Sequence, residues 1–186
     1  MPVHILTDAD HKEAVQVGRA RLAQDRAAGL QNQRVTQALS EEALHVLGVK
    51  GEWAATQWLG LPLAAVQELT PGGRRRGDIQ IPGTNTWIEC KTVTRPYYDL
   101  LALPAKSGKT LSAAVYCLIR PVDDTPALEQ TAFELLGWIQ QVDFLARGTF
   151  RTLFRGLQWS VRANQLDDLH DLPPWIQAQQ VAESVT

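Results

Sequence analysis

The chain has 186 residues, 45% of them apolar and 20% charged, with a net charge of −2. That length carries one domain with a buried core, and no apolar run approaches the roughly 20 residues that span a bilayer. The N-terminal stretch turns acidic too early for a signal peptide and the two cysteines form no CxxC, so the sequence predicts a cytosolic protein with two packed thiols, no disulfide framework and no zinc site.

Residues 8–29 are alanine-rich and predict a helix capped by Asp8 and stopped by Gly29. A second helical stretch opens at Ser40, with Glu41 and Glu42 suited to the positive end of the helix dipole, and ends at Gly60 and Pro62. Gly48 and Gly51 inside it leave open one bent helix or two. Each lowers helix propensity by about 1 kcal/mol relative to alanine and permits close approach to a sheet. Residues 77–91, GDIQIPGTNTWIECK, read as two strands joined by a tight turn. A loop containing Pro96, Tyr97 and Tyr98 follows, then a short apolar run at 100–103. Residues 113–119 and 131–139 are strand candidates, 140–155 is open between helix and loop, and 159–161 is a last short strand before a tail rich in Asp and Pro. The order predicts an α/β domain with a mixed central sheet, an antiparallel hairpin and flanking helices. It divides into a helical extension (1–39), a core (40–169) and a tail (170–186).

The hairpin carries the chemistry. Strand residues alternate faces, so Glu89 and Lys91 point together while Cys90 points away. A turn centred on Gly83 and Thr84 sets Asp78 across from Glu89, with Cβ atoms about 4.5–5.5 Å apart. Two carboxylates that close repel each other. A divalent cation resolves the conflict, and the ammonium of Lys91 suits an attacking water or a phosphate oxygen. The pattern predicts a metal-dependent phosphodiesterase. An acid-x-Lys triplet alone arises about once by chance in such a chain. Asp10-His11-Lys12 is one, placed in a predicted helix where residues two apart do not face each other. The Glu89 triplet instead closes an apolar strand and has an acid opposite. A surface ion pair, worth about 0–1 kcal/mol, does not account for Ile79, Ile81, Ile88 and Cys90 falling on one face and Asp78, Gln80, Glu89 and Lys91 on the other.

These residues resemble the PD-(D/E)xK nuclease superfamily, the restriction-endonuclease-like fold, and within it small phage-type nucleases. Residues 45–54 resemble the helix ahead of that hairpin, Leu59-Gly60-Leu61 its stop, and Leu136-Gly137-Trp138-Ile139 a downstream segment. The similarity spans about 45–169, and its specific part is 78–91. Gly77 stands where the superfamily name implies proline. The resemblance implies a DNA endonuclease in which Asp78 and Glu89 ligate Mg²⁺ (or Mn²⁺) with the Cys90 backbone carbonyl. Lys91 orients or activates the attacking water, and Glu52 reaches the metal from the helix, directly or through water. Mg²⁺ favours such hard oxygen ligands, and a bound metal polarises the phosphoryl oxygen and acidifies water. Action on RNA or branched DNA, a non-catalytic nucleic-acid-binding or virion-associated module, and pairing of two copies as a homodimer all stay open.

Charge around the motif adds candidate DNA contacts, since local patches matter more than the total. Arg74, Arg75 and Arg76 precede Asp78, and Thr92, Arg95 and Lys109 follow Lys91. Arg147, Arg151 and Arg155 recur every four residues. His45, two helical turns before Glu52, is open between a phosphate or proton-transfer role and a structural one. Ser107-Gly108-Lys109-Thr110 resembles the end of a phosphate-binding loop, but Leu103 replaces its first glycine, which rejects ATP binding.

Overall fold

The computed structural model describes residues 2–29, 39–66, 77–95, 98–104, 111–153 and 156–184. Strand β1 (Val3–Ile5) leads into helix α1 (Asp8–Ala27). The cap of α1 is Thr7 rather than Asp8. The Thr7 hydroxyl accepts from the Asp10 N–H while the Asp10 carboxylate accepts from the Thr7 N–H, so two otherwise unmet donors are satisfied reciprocally. Helix α2 (Glu41–Trp58) is capped by Ser40, as the sequence predicts, and continues unbroken through Gly48 and Gly51.

Five strands form a mixed sheet in the order β1, β6 (Ala132–Gln140), β5 (Val115–Pro121), β3 (Trp87–Thr92), β2 (Ile79–Gln80). Only β3 and β5 run parallel. Alternate residues of the sheet enter two cores. Ile79, Ile88, Cys90, Val115, Cys117 and Ile119 pack under α1 and α2. Tyr116 and Leu118 face the other way, against a small antiparallel sheet of β4 (Leu100–Ala102), β8 (Gly156–Val161) and β7 (Thr149–Leu153), and against α3 (Gln141–Arg147). Helix α4 (Leu172–Ser184) closes the first core with Leu172 and Ile176, so the tail expected after residue 169 is a packed helix. The first 39 residues likewise contribute an edge strand and the core residues Leu6 and Ala14. No described helix is long and apolar enough to cross a membrane.

Helix α2 presses directly onto β3. A Cβ on Gly51 would lie 2.0 Å from the Thr92 hydroxyl oxygen, so only glycine fits there. Gly51→Ala is therefore expected to destabilise the fold by about 1–3 kcal/mol through overpacking, read as a lower urea midpoint, and Thr92→Ala in the same chain to recover part of that loss.

Lys50, the residue before Gly51, is wholly buried, and its ammonium donates to the carbonyls of Ala127, Leu128 and Gln130 at 3.1, 2.8 and 2.8 Å. Burial pulls this amine down to about 8, which leaves it charged at neutral pH. The two cysteines sit side by side in register on β3 and β5, both buried and free.

Candidate functional site

The hairpin turn is built by Ile81, Pro82, Gly83 and Thr84. Pro82 presets one φ, Gly83 takes φ +78°, and the Thr84 N–H donates to the Ile81 carbonyl at 3.1 Å, which is the type II arrangement. The resulting register pairs Ile79 with Ile88 and Gln80 with Trp87, and Asp78 lies one step further along. At that step the ladder changes character. Rather than meeting Glu89 across the ladder, the Asp78 N–H donates to the Ile88 carbonyl at 2.8 Å, and the Cys90 N–H is met by the Asp78 carboxylate, Oδ2 at 2.8 Å. One carboxylate oxygen is thereby pinned to β3. Gly77 allows this approach: a Cβ there would lie 2.9 Å from the Ile88 carbonyl oxygen and 2.9 Å from the Trp87 Cβ. A proline at this position would meet the same obstruction.

Asp78 is buried, and its carboxyl is pushed up to about 8, first by burial, then by the charges of Glu89 and Glu52; Lys91 and the Cys90 N–H act in the opposite sense. Three acids from two strands and a helix thus share one electrostatic environment. Lys91 pairs with Glu89 along the strand. Burial works against its charge, but Glu89 and then Asp78 outweigh that and raise its pKa. Tyr116, in register with Glu89, forms the floor beside them, its ring edge-on to Phe144 at 5.1 Å.

Glu52 is also buried, and Arg21 of α1 meets it: a single guanidinium nitrogen, Nη1, lies 2.8 Å from Oε1 and 2.7 Å from Oε2. Nothing in the sequence marks Arg21, one of several charges on a helix that reads as solvated; only the packing of α1 on α2 exposes its role. As a donor set for a divalent ion, Asp78, Glu89 and the Cys90 carbonyl are hard oxygens at the end of a buried, negatively polarised hairpin, the chemistry Mg²⁺ takes. Glu52 in this conformation is engaged by Arg21. Among the described residues, no three His, Cys, Asp or Glu side chains are placed to hold one ion together.

The remaining candidates divide. His45 lies against α1, its Nε2 3.7 Å from Asp25, with burial drawing its pKa down and Asp25 and Glu41 opposing; its charged neighbours are those of the helix pair. Thr92 turns its hydroxyl into the α2 interface, where that buried oxygen has no hydrogen-bond partner, so it faces away from Glu89 and Lys91. Arg95 reaches Asp124 at 3.3 Å on the surface. Arg147 and Arg151 fall on α3 and β7 and pair with Asp167 at 2.7 Å and Asp99 at 2.9 Å, so their spacing makes no helical stripe. Arg74, Arg75, Arg76, Lys109 and Arg155 lie outside the described residues.

Comparison of the chain with protein-family models, with curated proteins and with solved structures returned no match.

Proposed function

We propose that this chain is a Mg²⁺-dependent nuclease acting on DNA, a member of the PD-(D/E)xK superfamily. The observation that carries the reading is the end of the β2–β3 hairpin, where a buried Asp78, bonded to the Cys90 N–H, feels the charge of Glu89, itself paired with Lys91. In this reading Asp78, Glu89 and the Cys90 carbonyl hold the ion. The ion supplies a polarised phosphoryl oxygen and an acidified water. The Cys90 N–H anchors the Asp78 carboxylate to β3 and fixes its direction. Lys91, held by Glu89, offers an ammonium to the incoming water or to charge building on the phosphate. Tyr116 and the small sheet wall off one side of the hairpin, which limits water and strengthens these interactions.

Incubation with linear, circular and single-stranded DNA, with Mg²⁺ and with chelator, tests the reading. Metal-dependent product is expected, and none in chelator. A second reading, a non-catalytic nucleic-acid-binding module, draws on the ion pairs Arg21–Glu52 and Lys91–Glu89, which neutralise two of the three acids internally. DNA binding without turnover in either Mg²⁺ or Mn²⁺ would select it.

A further inference from the structure

Among the groups that the proposed chemistry does not use, the Arg21 guanidinium stands out by its position. It arrives from a helix outside the motif, is buried together with Glu52, and approaches both carboxylate oxygens through one nitrogen. That is where a bidentate cation would sit on a carboxylate. Glu52 follows Gly51, which packs against Thr92 of β3, the residue after Lys91, and the Glu52 charge acts on Asp78 and Lys91, so the pair adjoins the site. We propose that Arg21 is an internal stand-in for the metal: it occupies Glu52 while the site is empty and yields that carboxylate when a divalent ion binds at Asp78 and Glu89.

The charges make the exchange reasonable. Glu52 and Glu89 bring two negative charges, Asp78 adds a third when an ion displaces its proton, and Arg21 and Lys91 bring two positive ones. With Arg21 in place the acids are held together against their mutual repulsion. A divalent ion added beside the guanidinium feels its repulsion, and the lowest-energy response is for the guanidinium to move away. An acceptor is at hand, because Asp25 lies four residues along α1, one turn from Arg21 and partly exposed. Arg21 is on this account a positioning residue that sets when Glu52 joins the ion and how tightly the ion is held.

The inference rests on the reading of the site as a metal centre, and metal binding without DNA separates the two. Mn²⁺ is titrated calorimetrically into the full chain after chelator treatment, alongside Asp78→Asn, Arg21→Gln, Arg21→Lys and the double variant Arg21→Gln/Glu52→Gln. Circular dichroism melting in chelator reports which variants fold. Wild type is expected to bind Mn²⁺ and Asp78→Asn to lose it. Arg21→Gln is expected to bind at least about tenfold more tightly, the size of change that partners of ligating groups produce. It should also melt lower in chelator and recover more than wild type on adding Mn²⁺. Arg21→Lys, which keeps the charge with a weaker grip, should shift the same way by less and carries the test if Arg21→Gln does not fold. Removing Glu52 as well should erase the gain. Wild-type binding with affinity unchanged or weakened in the foldable Arg21 variants overturns the exchange and leaves the metal centre standing. No Mn²⁺ binding by wild type or any variant overturns both.

Discussion

Asp78→Ala is expected to abolish DNA cleavage in Mg²⁺, a loss of at least about a thousandfold. On the proposed reading, losing a ligand forfeits several kcal/mol of charge stabilisation in the transition state, and each 1.36 kcal/mol is a factor of ten. Folding should survive, because the native structure gains little from this carboxylate's charge when no ion is present and losing the acceptor of the Cys90 N–H costs about 1–3 kcal/mol. The sign of the pH dependence makes that point separately. The folded-state pKa of about 8 lies above the ordinary value of 3.8, so the folded chain holds this proton more tightly than the unfolded one. The associated stability is complete below about pH 4 and is lost as pH rises through about 8. In chelator, wild type should therefore lose stability across that window, and Asp78→Asn, which keeps the shape and cannot ionise, should lose less. Adding Mn²⁺ should restore wild type and not the variant. Retained cleavage by purified Asp78→Ala would exclude the assignment, and equal pH profiles for wild type and Asp78→Asn would remove the electrostatic argument.

Lys50→Met should produce the largest loss of stability, about 3–5 kcal/mol, out of a total that for a domain of this kind is about 5–15 kcal/mol. The methionine fills the volume but leaves the carbonyls of Ala127, Leu128 and Gln130 without their donor. Hydrogen bonds to a charged group contribute about 1.5–3 kcal/mol each, and three that share one ammonium are not additive. Gln130 magnifies the effect. Its side chain ties the same loop to Asp123 and accepts from the N–H groups of Thr131 and Ala132, at the start of β6. Urea unfolding with an unchanged slope would assign the loss to the native contacts, and faster amide exchange at 123–131 would place it in the loop. A change below 1 kcal/mol would mean that water replaces the ammonium without cost.

The parts of this molecule visible in its sequence are those decided by neighbours along the chain. Ser40 caps α2, Gly29 follows the end of α1 with φ +67°, and the turn at Gly83 sets the register that pairs Ile79 with Ile88. Helix α4 escaped because Leu172-Pro173-Pro174 reads as a break, although prolines are tolerated in a first turn where the N–H groups have no intrahelical partner. Strand β1 is too short for alternation to show, and exists because β6 offers it an edge. The pairing of Arg21 with Glu52, the burial of Lys50 and the inward turn of Thr92 depend on residues far away in sequence. Charge on a helix and threonine on a strand have the same local signature whether they meet water or another element.

Lys50, Gly51 and Glu52 are consecutive, and each is committed in a different direction: to the 127–130 loop, to β3 and to α1. One turn of helix is thus bolted to three partners and has no freedom to rotate or slide. Laboratory evolution of this chain should leave those three positions untouched, and tolerated variants should accumulate elsewhere on the surface.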